Sequence, residues 1–212
     1  MLYSYIYPMI KSIAGFFSWI FQPLLMPLYG TFLFLNLPFY AFSLLHDQLR
    51  NFVLISTALF TAILPILSIL LMKQFGLISS IQLEKREDRK YPILFTIVFQ
   101  MANYYFLHKV HLPGAYYMFL IAGLFSLLLT LVVTYYWKIS MHMTGIGGLT
   151  GAMLLCAFVW QIDLRITLAV LFIVAGITGT SRLVLNAHTP LQVGAGFLAG
   201  LIPQLSLILL SL

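Results

Sequence analysis

Two short stretches of this chain concentrate side chains able to do chemistry. The first, Lys138-Ile139-Ser140-Met141-His142, alternates an ammonium, a hydroxyl and an imidazole. The second runs from Ser181 and Arg182 to His188 and Gln192, with a guanidinium six residues ahead of the second imidazole. A third, Glu84 to Lys90, interleaves Glu87 and Asp88 with Lys85, Arg86, Arg89 and Lys90. A neutral imidazole is a competent nucleophile and proton carrier near pH 7. Arginine and lysine supply the fixed donors and charge that phosphoryl oxygens need. Histidines beside such cations therefore point to the handling of a phosphate group. Each stretch also has a plainer reading. The charge run fits a solvated, self-neutralising juxtamembrane helix; if helical, it puts Lys85 and Arg89 on one stripe and Arg86 and Lys90 on the next. Lys138 could snorkel while His142 meets lipid headgroups.

What must position these groups is a membrane. The chain has 212 residues, 62% hydrophobic and 8% charged, with a mean hydropathy of +1.02. Soluble domains carry about 25% charged residues, so no water-exposed surface can be built from this composition. Disorder, a nucleic-acid-binding domain and a disulfide-stapled secreted domain are excluded together. The net charge of +6 comes from 11 basic residues against five acids, and most of the bases sit between apolar runs. Cys156, the single cysteine, reads as a small packing residue. The N-terminus lacks a basic start and a small-residue cleavage site, so it reads as mature sequence.

Charge-free runs predict spans near 13–35, 51–72, 92–107, 115–137, 144–160, 166–180 and 190–211, the third being short. Only helices satisfy their backbone in lipid without closing a barrel. The expected fold is all-α: one polytopic helical bundle of six or seven transmembrane helices over 1–212. Alternating these spans puts 85–92, 138–144 and 181–192 on one face. Arg50, His108, Lys109, His111, Asp163 and Arg165 fall on the other.

Ser140-Met141-His142 resembles the Pro-Ser-Gly-His motif of the type-2 phosphatidic acid phosphatase superfamily, which includes the vanadium haloperoxidases. Ser181-Arg182, five residues and then His188 resemble that family's Ser-Arg-x5-His-x3-Asp motif through the histidine. HTPLQVGAGFLAG is similar to its last helix, so the likeness covers roughly 85–200. The resemblance implies a metal-independent lipid phosphate phosphatase with no cofactor. His188 would attack phosphorus, and His142 would protonate the leaving oxygen and then activate water. Arg182, Ser140, Ser181, Lys138, Lys85, Arg86 and Arg89 would hold the phosphoryl oxygens. The implied partners are membrane lipids and a phosphatidate-like or polyprenyl (undecaprenyl-type) phosphate, with no nucleic acid. The implied location is a bacterial inner membrane, with the site on the periplasmic face.

The chain departs from the family pattern at three places. Lys-x6-Arg-Pro is not met, because Gln82 lies seven residues before Arg89 and Pro92 follows Tyr91. Ile139 and Met141 replace the Pro and Gly of the second motif. Gln192 stands where the family has the aspartate that orients its nucleophilic histidine, and losing that charge in a triad-type site can cost about 10⁴ in rate. Gln192 also completes a capping box with Thr189, with Pro190 at the first helical position. Glu84, Glu87 or Asp88 could supply a carboxylate from the facing segment. Two further readings stand beside the phosphatase: a non-catalytic relative that binds or moves a lipid phosphate, and a scaffold subunit. There is no HExxH and no GxxxxGK[ST], and the His108/His111 pair lacks further ligands. The glycines at 145–151 and 194–200 predict close helix packing.

Overall fold

The computed structural model describes residues 2–211 and the side chains of 7–207; the two end residues of the expected 1–212 domain lie outside the described residues. Ten α-helices follow in order: α1 Leu2–Ile20, α2 Met26–Leu35, α3 Tyr40–Ser43, α4 Asp47–Ala58, α5 Leu64–Gln74, α6 Lys90–His108, α7 Gly114–Tyr136, α8 Met141–Val159, α9 Arg165–Val184 and α10 Pro190–Ser211. Among the described residues there is no strand. Six stretches are long and apolar enough to cross a membrane: Tyr7–Leu35, Asp47–Gln74, Gly114–Tyr136, Met141–Val159, Arg165–Val184 and Pro190–Leu207. The chain is thus an all-α polytopic membrane bundle. Helix α6 matches α8 in length at 19 residues, but Gln100 and Asn103 in its interior keep it outside that apolar set.

Local sequence explains where the helices bend and stop. The first apolar run is not one helix, because Gln22 is extended at φ −65°, ψ 138° just before Pro23. Between α4 and α5 the backbone widens into a π-helical turn, Leu59–Ile63. Pro65 requires it, since its ring would collide with the Thr61 carbonyl of a regular helix and it has no N–H to donate. Two expected boundaries move. Helix α8 begins at Met141, so His142 sits in its first turn and not before it. Helix α9 continues to Val184, so Ser181 and Arg182 form its last turn.

Helix α8 is the centre of the bundle, packed along its length by α10 and flanked by α9, α7 and α2. Glycines make the α8–α10 contact possible. A Cβ on Gly147 would lie 2.1 Å from the Phe197 carbonyl oxygen, and one on Gly200 would lie 2.0 Å from that of Thr144. This close backbone approach replaces the hydrophobic drive that lipid cannot supply. Polar side chains inside the bundle are mostly tied to backbone or to each other. The hydroxyls of Thr31, Tyr116 and Thr57 bond in a chain, at 2.9 and 3.2 Å.

Gly200→Ala should therefore force α8 and α10 apart and cost about 1–3 kcal/mol, the usual range for overpacking. Gly176→Ala, where nothing lies within 4 Å of the new methyl, should leave stability unchanged or slightly raised. Thermal melts of the two variants in detergent check the contrast.

Candidate functional site

The spacing from Arg182 to His188 is the length of a helix stop. Helix α9 ends in a Schellman turn: Ala187 N donates to Arg182 O at 3.0 Å and Asn186 N to Leu183 O at 2.9 Å. Asn186 takes the left-handed conformation at φ 52°, which asparagine tolerates better than most residues. The turn folds the chain back so that His188 follows directly on the residue held by the Arg182 carbonyl. Thr189 and Gln192 then open α10 with a reciprocal capping box. Thr189 N donates to Gln192 Oε1 at 3.2 Å, and Gln192 N donates to Thr189 Oγ1 at 3.4 Å.

This cap also fixes the tautomer of His188. Gln192 Oε1 accepts the Thr189 N–H, so it is the carbonyl oxygen, and His188 Nδ1 at 3.0 Å must donate to it. Nδ1 carries the proton and Nε2 the lone pair. The expected carboxylate from the 84–88 segment does not take this place. Glu87 pairs with Arg86 at 3.2 Å, and Asp88 accepts the Ser79 N–H at 2.9 Å and the Ser79 hydroxyl. Glu84 lines the cavity, with no bond to His188. An amide, and not an acid, orients this imidazole.

His142 is fixed by a residue that the sequence patterns left out. Its Nε2 lies 3.1 Å from the Ser18 carbonyl, an obligate acceptor, so Nε2 bears the proton. Ser18, near the end of α1, also accepts Arg182 Nη1 on its hydroxyl at 3.2 Å. Its only trace in the sequence is one hydroxyl within the apolar run Phe16-Phe17-Ser18-Trp19.

Arg89 is buried and bonded to backbone from two directions. Nε donates to Leu83 O at 2.8 Å and Nη1 to Ile139 O at 2.9 Å. The second bond joins the charge run to the Ser140 segment, and Ser140 N donates to Gln192 O at 3.3 Å. The segments 83–89, 138–142 and 182–192 therefore meet at one end of the bundle. The charge run forms no continuous helix there; a 3-10 turn, Glu87–Arg89, breaks the expected stripes. Lys85 is exposed and does not line the cavity. Arg86 is turned to the Tyr136 carbonyl at 2.8 Å, and Lys90 lies over the Tyr135 ring. Ser181 donates back to Ile177 O. Of the four bases in the run, only Arg89 faces the cavity.

Arg89, Lys138 and Arg182 together line a cavity of about 850 Å³, with His142 and Ser18 beside them. Among the described residues, none of the three cations forms a salt bridge with an acid. Burial, then the neighbouring Arg182, pulls Arg89 down to about 10. Burial, Arg89 and Arg182 also lower Lys138, with Glu84 opposing them. Two polar atoms at this end of the bundle are buried without a partner, Arg182 Nε and Ser140 Oγ; Ser140, His188 and Gln192 sit behind the cavity wall and do not line it. Ser140 is the N-cap residue of α8, whose first N–H groups favour an anion. Cations, free donors and a helix N-terminus are what a phosphoryl group recognises. No family model, curated protein or solved structure matches this chain.

Burial first, then Arg89, holds His188 down to about 4, against the Gln192 bond that raises it. Its folded pKa thus lies below the ordinary 6.5, and between the two values the unfolded chain binds more protons. Stability should fall as pH drops from about 6.5 to about 4. His188→Asn should remove that part of the acid loss. Gln192→Asp, which offers His188 a carboxylate, should raise its pKa and shrink the loss. Melting curves at about pH 7, 5.5 and 4, with imidazole NMR titration, check both.

Proposed function

We propose that this protein is a metal-independent lipid phosphate phosphatase that acts through a phosphohistidine. The observation that carries this reading is the pair of buried, unpartnered groups, Arg182 Nε in the last turn of α9 and Ser140 Oγ at the start of α8. They accompany an imidazole, His188, whose Nδ1 donates to Gln192 and whose Nε2 keeps a lone pair. In this reading Arg89, Lys138, Arg182 and Ser140 hold the phosphoryl oxygens, where charge develops in the transition state. His188 Nε2 forms a bond to phosphorus as the bond to the lipid oxygen breaks. His142 takes up the proton of the bound phosphate monoanion on Nδ1. It gives its Nδ1 proton to the leaving oxygen and keeps its Nε2 proton on the Ser18 carbonyl. Water then attacks the phosphohistidine, returning a proton to His142 and releasing phosphate from His188.

The site's position in a bundle of membrane spans supports a lipid substrate, phosphatidate-like or polyprenyl, entering sideways from the bilayer. We place the site on the periplasmic face of a bacterial inner membrane. That placement rests on the family resemblance alone: with Arg89, Lys138 and Arg182 discounted, Lys73, Lys85, Arg86 and Lys90 on that face still balance Arg50, Lys109 and Arg165 opposite. Gln192 favours a second reading, a relative that binds or moves the lipid phosphate without hydrolysis, because an amide fixes a tautomer but does not stabilise a cationic ring.

Purified protein in detergent with EDTA should release phosphate from a panel of lipid phosphates, and His188→Ala should reduce release by at least about 10³-fold. Acid-labile phosphate should be trapped on wild-type protein and not on His188→Ala. Binding of lipid phosphate without release from either protein would select the second reading.

A further inference from the structure

The cavity does not end at the phosphate-binding cluster. It continues between α6, α7 and α10 to Gln100, Ser126 and Gln204. Gln100 lies eleven residues beyond Arg89, about 16 Å along the helix at 1.5 Å per residue. Depth of this order is where a hydrocarbon chain would run, and a purely apolar lining would suit it. The lining is not purely apolar.

Gln100 is only 4% exposed, and since its amide atoms are not among the fully buried ones, the little surface it keeps is polar and opens on the cavity. It makes no hydrogen bond, although it lines the cavity. A buried amide costs free energy unless paired. Its Nε2 lies 3.8 Å from where a Cβ on Gly123 would be, so the missing side chain there leaves room beside it. The hydroxyls that line the cavity with it have spent their protons on backbone carbonyls: Thr96 on Pro92 O, Ser126 on Ala122 O and, more distantly, Gly200 O, and Thr130 on Ser126 O. They offer lone pairs only, whereas the Gln100 amide offers free N–H donors. A carbonyl would use only the donors and an ammonium only the lone pairs. A hydroxyl uses both.

We propose that Gln100 is the floor of a second subsite, which binds a hydroxyl carried by the ligand's chain about 16 Å from its phosphate. This rests on reading the Arg89–Arg182 cluster as the phosphate site. The subsite selects chain-hydroxylated lipid phosphates over unadorned hydrocarbon chains of equal length. Thr96, Ser126 and Thr130 accept the hydroxyl proton, and the Gln100 amide donates to its oxygen.

The test is calorimetric binding of two probes, dodecyl phosphate and 12-hydroxydodecyl phosphate, to detergent-solubilised full-length protein. Wild type should bind the hydroxylated probe about 5–10-fold more tightly, the value of a hydrogen bond made in a dry site. Gln100→Leu should erase that preference while keeping the affinity for dodecyl phosphate. Gly123→Val, which crowds the same amide from α7, should also erase it, and it serves where Gln100→Leu does not accumulate. Arg182→Ala should weaken both probes without changing their ratio. Equal binding of the probes by wild type, still weakened by Arg182→Ala, would overturn the subsite and leave the phosphate reading standing. A hydroxyl preference that depends on Gln100, with no effect of Arg182→Ala, would keep the subsite and overturn the phosphate reading. Failure of both probes to bind overturns both.

Discussion

The constraint on which the site depends is the placing of two guanidiniums, Arg89 buried and Arg182 half-buried, without a carboxylate. Removing a charge from water costs several kcal/mol even after relaxation, and proteins usually offset this by pairing it. Here Arg89 is met by the carbonyls of Leu83 and Ile139, and Arg182 by the Ser18 hydroxyl. These partners satisfy hydrogen bonds but leave the charge intact. Dipoles hold the guanidiniums in place, the positive potential survives, and Lys138 adds to it. Much of the local structure exists to hold this arrangement: the left-handed Leu83 that presents its carbonyl to Arg89, the Schellman turn after Arg182, and the link from Ser140 to Gln192.

The two imidazoles follow the same rule. Each is oriented by a neutral acceptor, His188 by the Gln192 amide and His142 by the Ser18 carbonyl. A carboxylate at 192 would fix the same tautomer, but it would also draw protons onto His188 and pair with the nearby cations. The amide does only the first. His188 therefore stays neutral among three cations, its lone pair available, while the cations keep their full attraction for an anion. The same choice withdraws stabilisation from a cationic ring in exchange for a neutral resting imidazole and undiminished anion attraction.

Much of this was legible in the residues, for identifiable reasons. Composition and uninterrupted apolar runs required helices in lipid, and alternation of the spans placed three polar segments at one end. The helix stop around Asn186 and the cap at Thr189-Pro190-Leu191-Gln192 are local, so their signals lie within a few residues. Helix ends differ from the apolar runs where polar residues continue a helix: His142 lies in the first turn of α8 and Arg182 in the last turn of α9, because a terminal turn can satisfy such side chains outside the apolar zone. The fate of the charge run was not legible. Arg89 and Arg86 differ by three positions, yet one turns inward to Ile139 and the other outward to Tyr136. That choice is made by a 3-10 turn and by partners fifty residues away. Ser18 was invisible for a similar reason, since its role depends on α1 packing beside α9.

That packing gives the site two kinds of support. On one side α8 and α10 are locked by glycine contacts in which backbone meets backbone, so Ser140, Gln192 and His188 are held by elements that cannot separate without losing the bundle's centre. On the other side α1 supplies Ser18 after a break at Gln22 and packs mainly on α9. The tautomer of His188 therefore belongs to the rigid half, and that of His142 to the half joined through a turn. A shift of α1 would therefore leave the geometry of His188 unchanged, because the bonds that define that geometry lie within α10 and its cap.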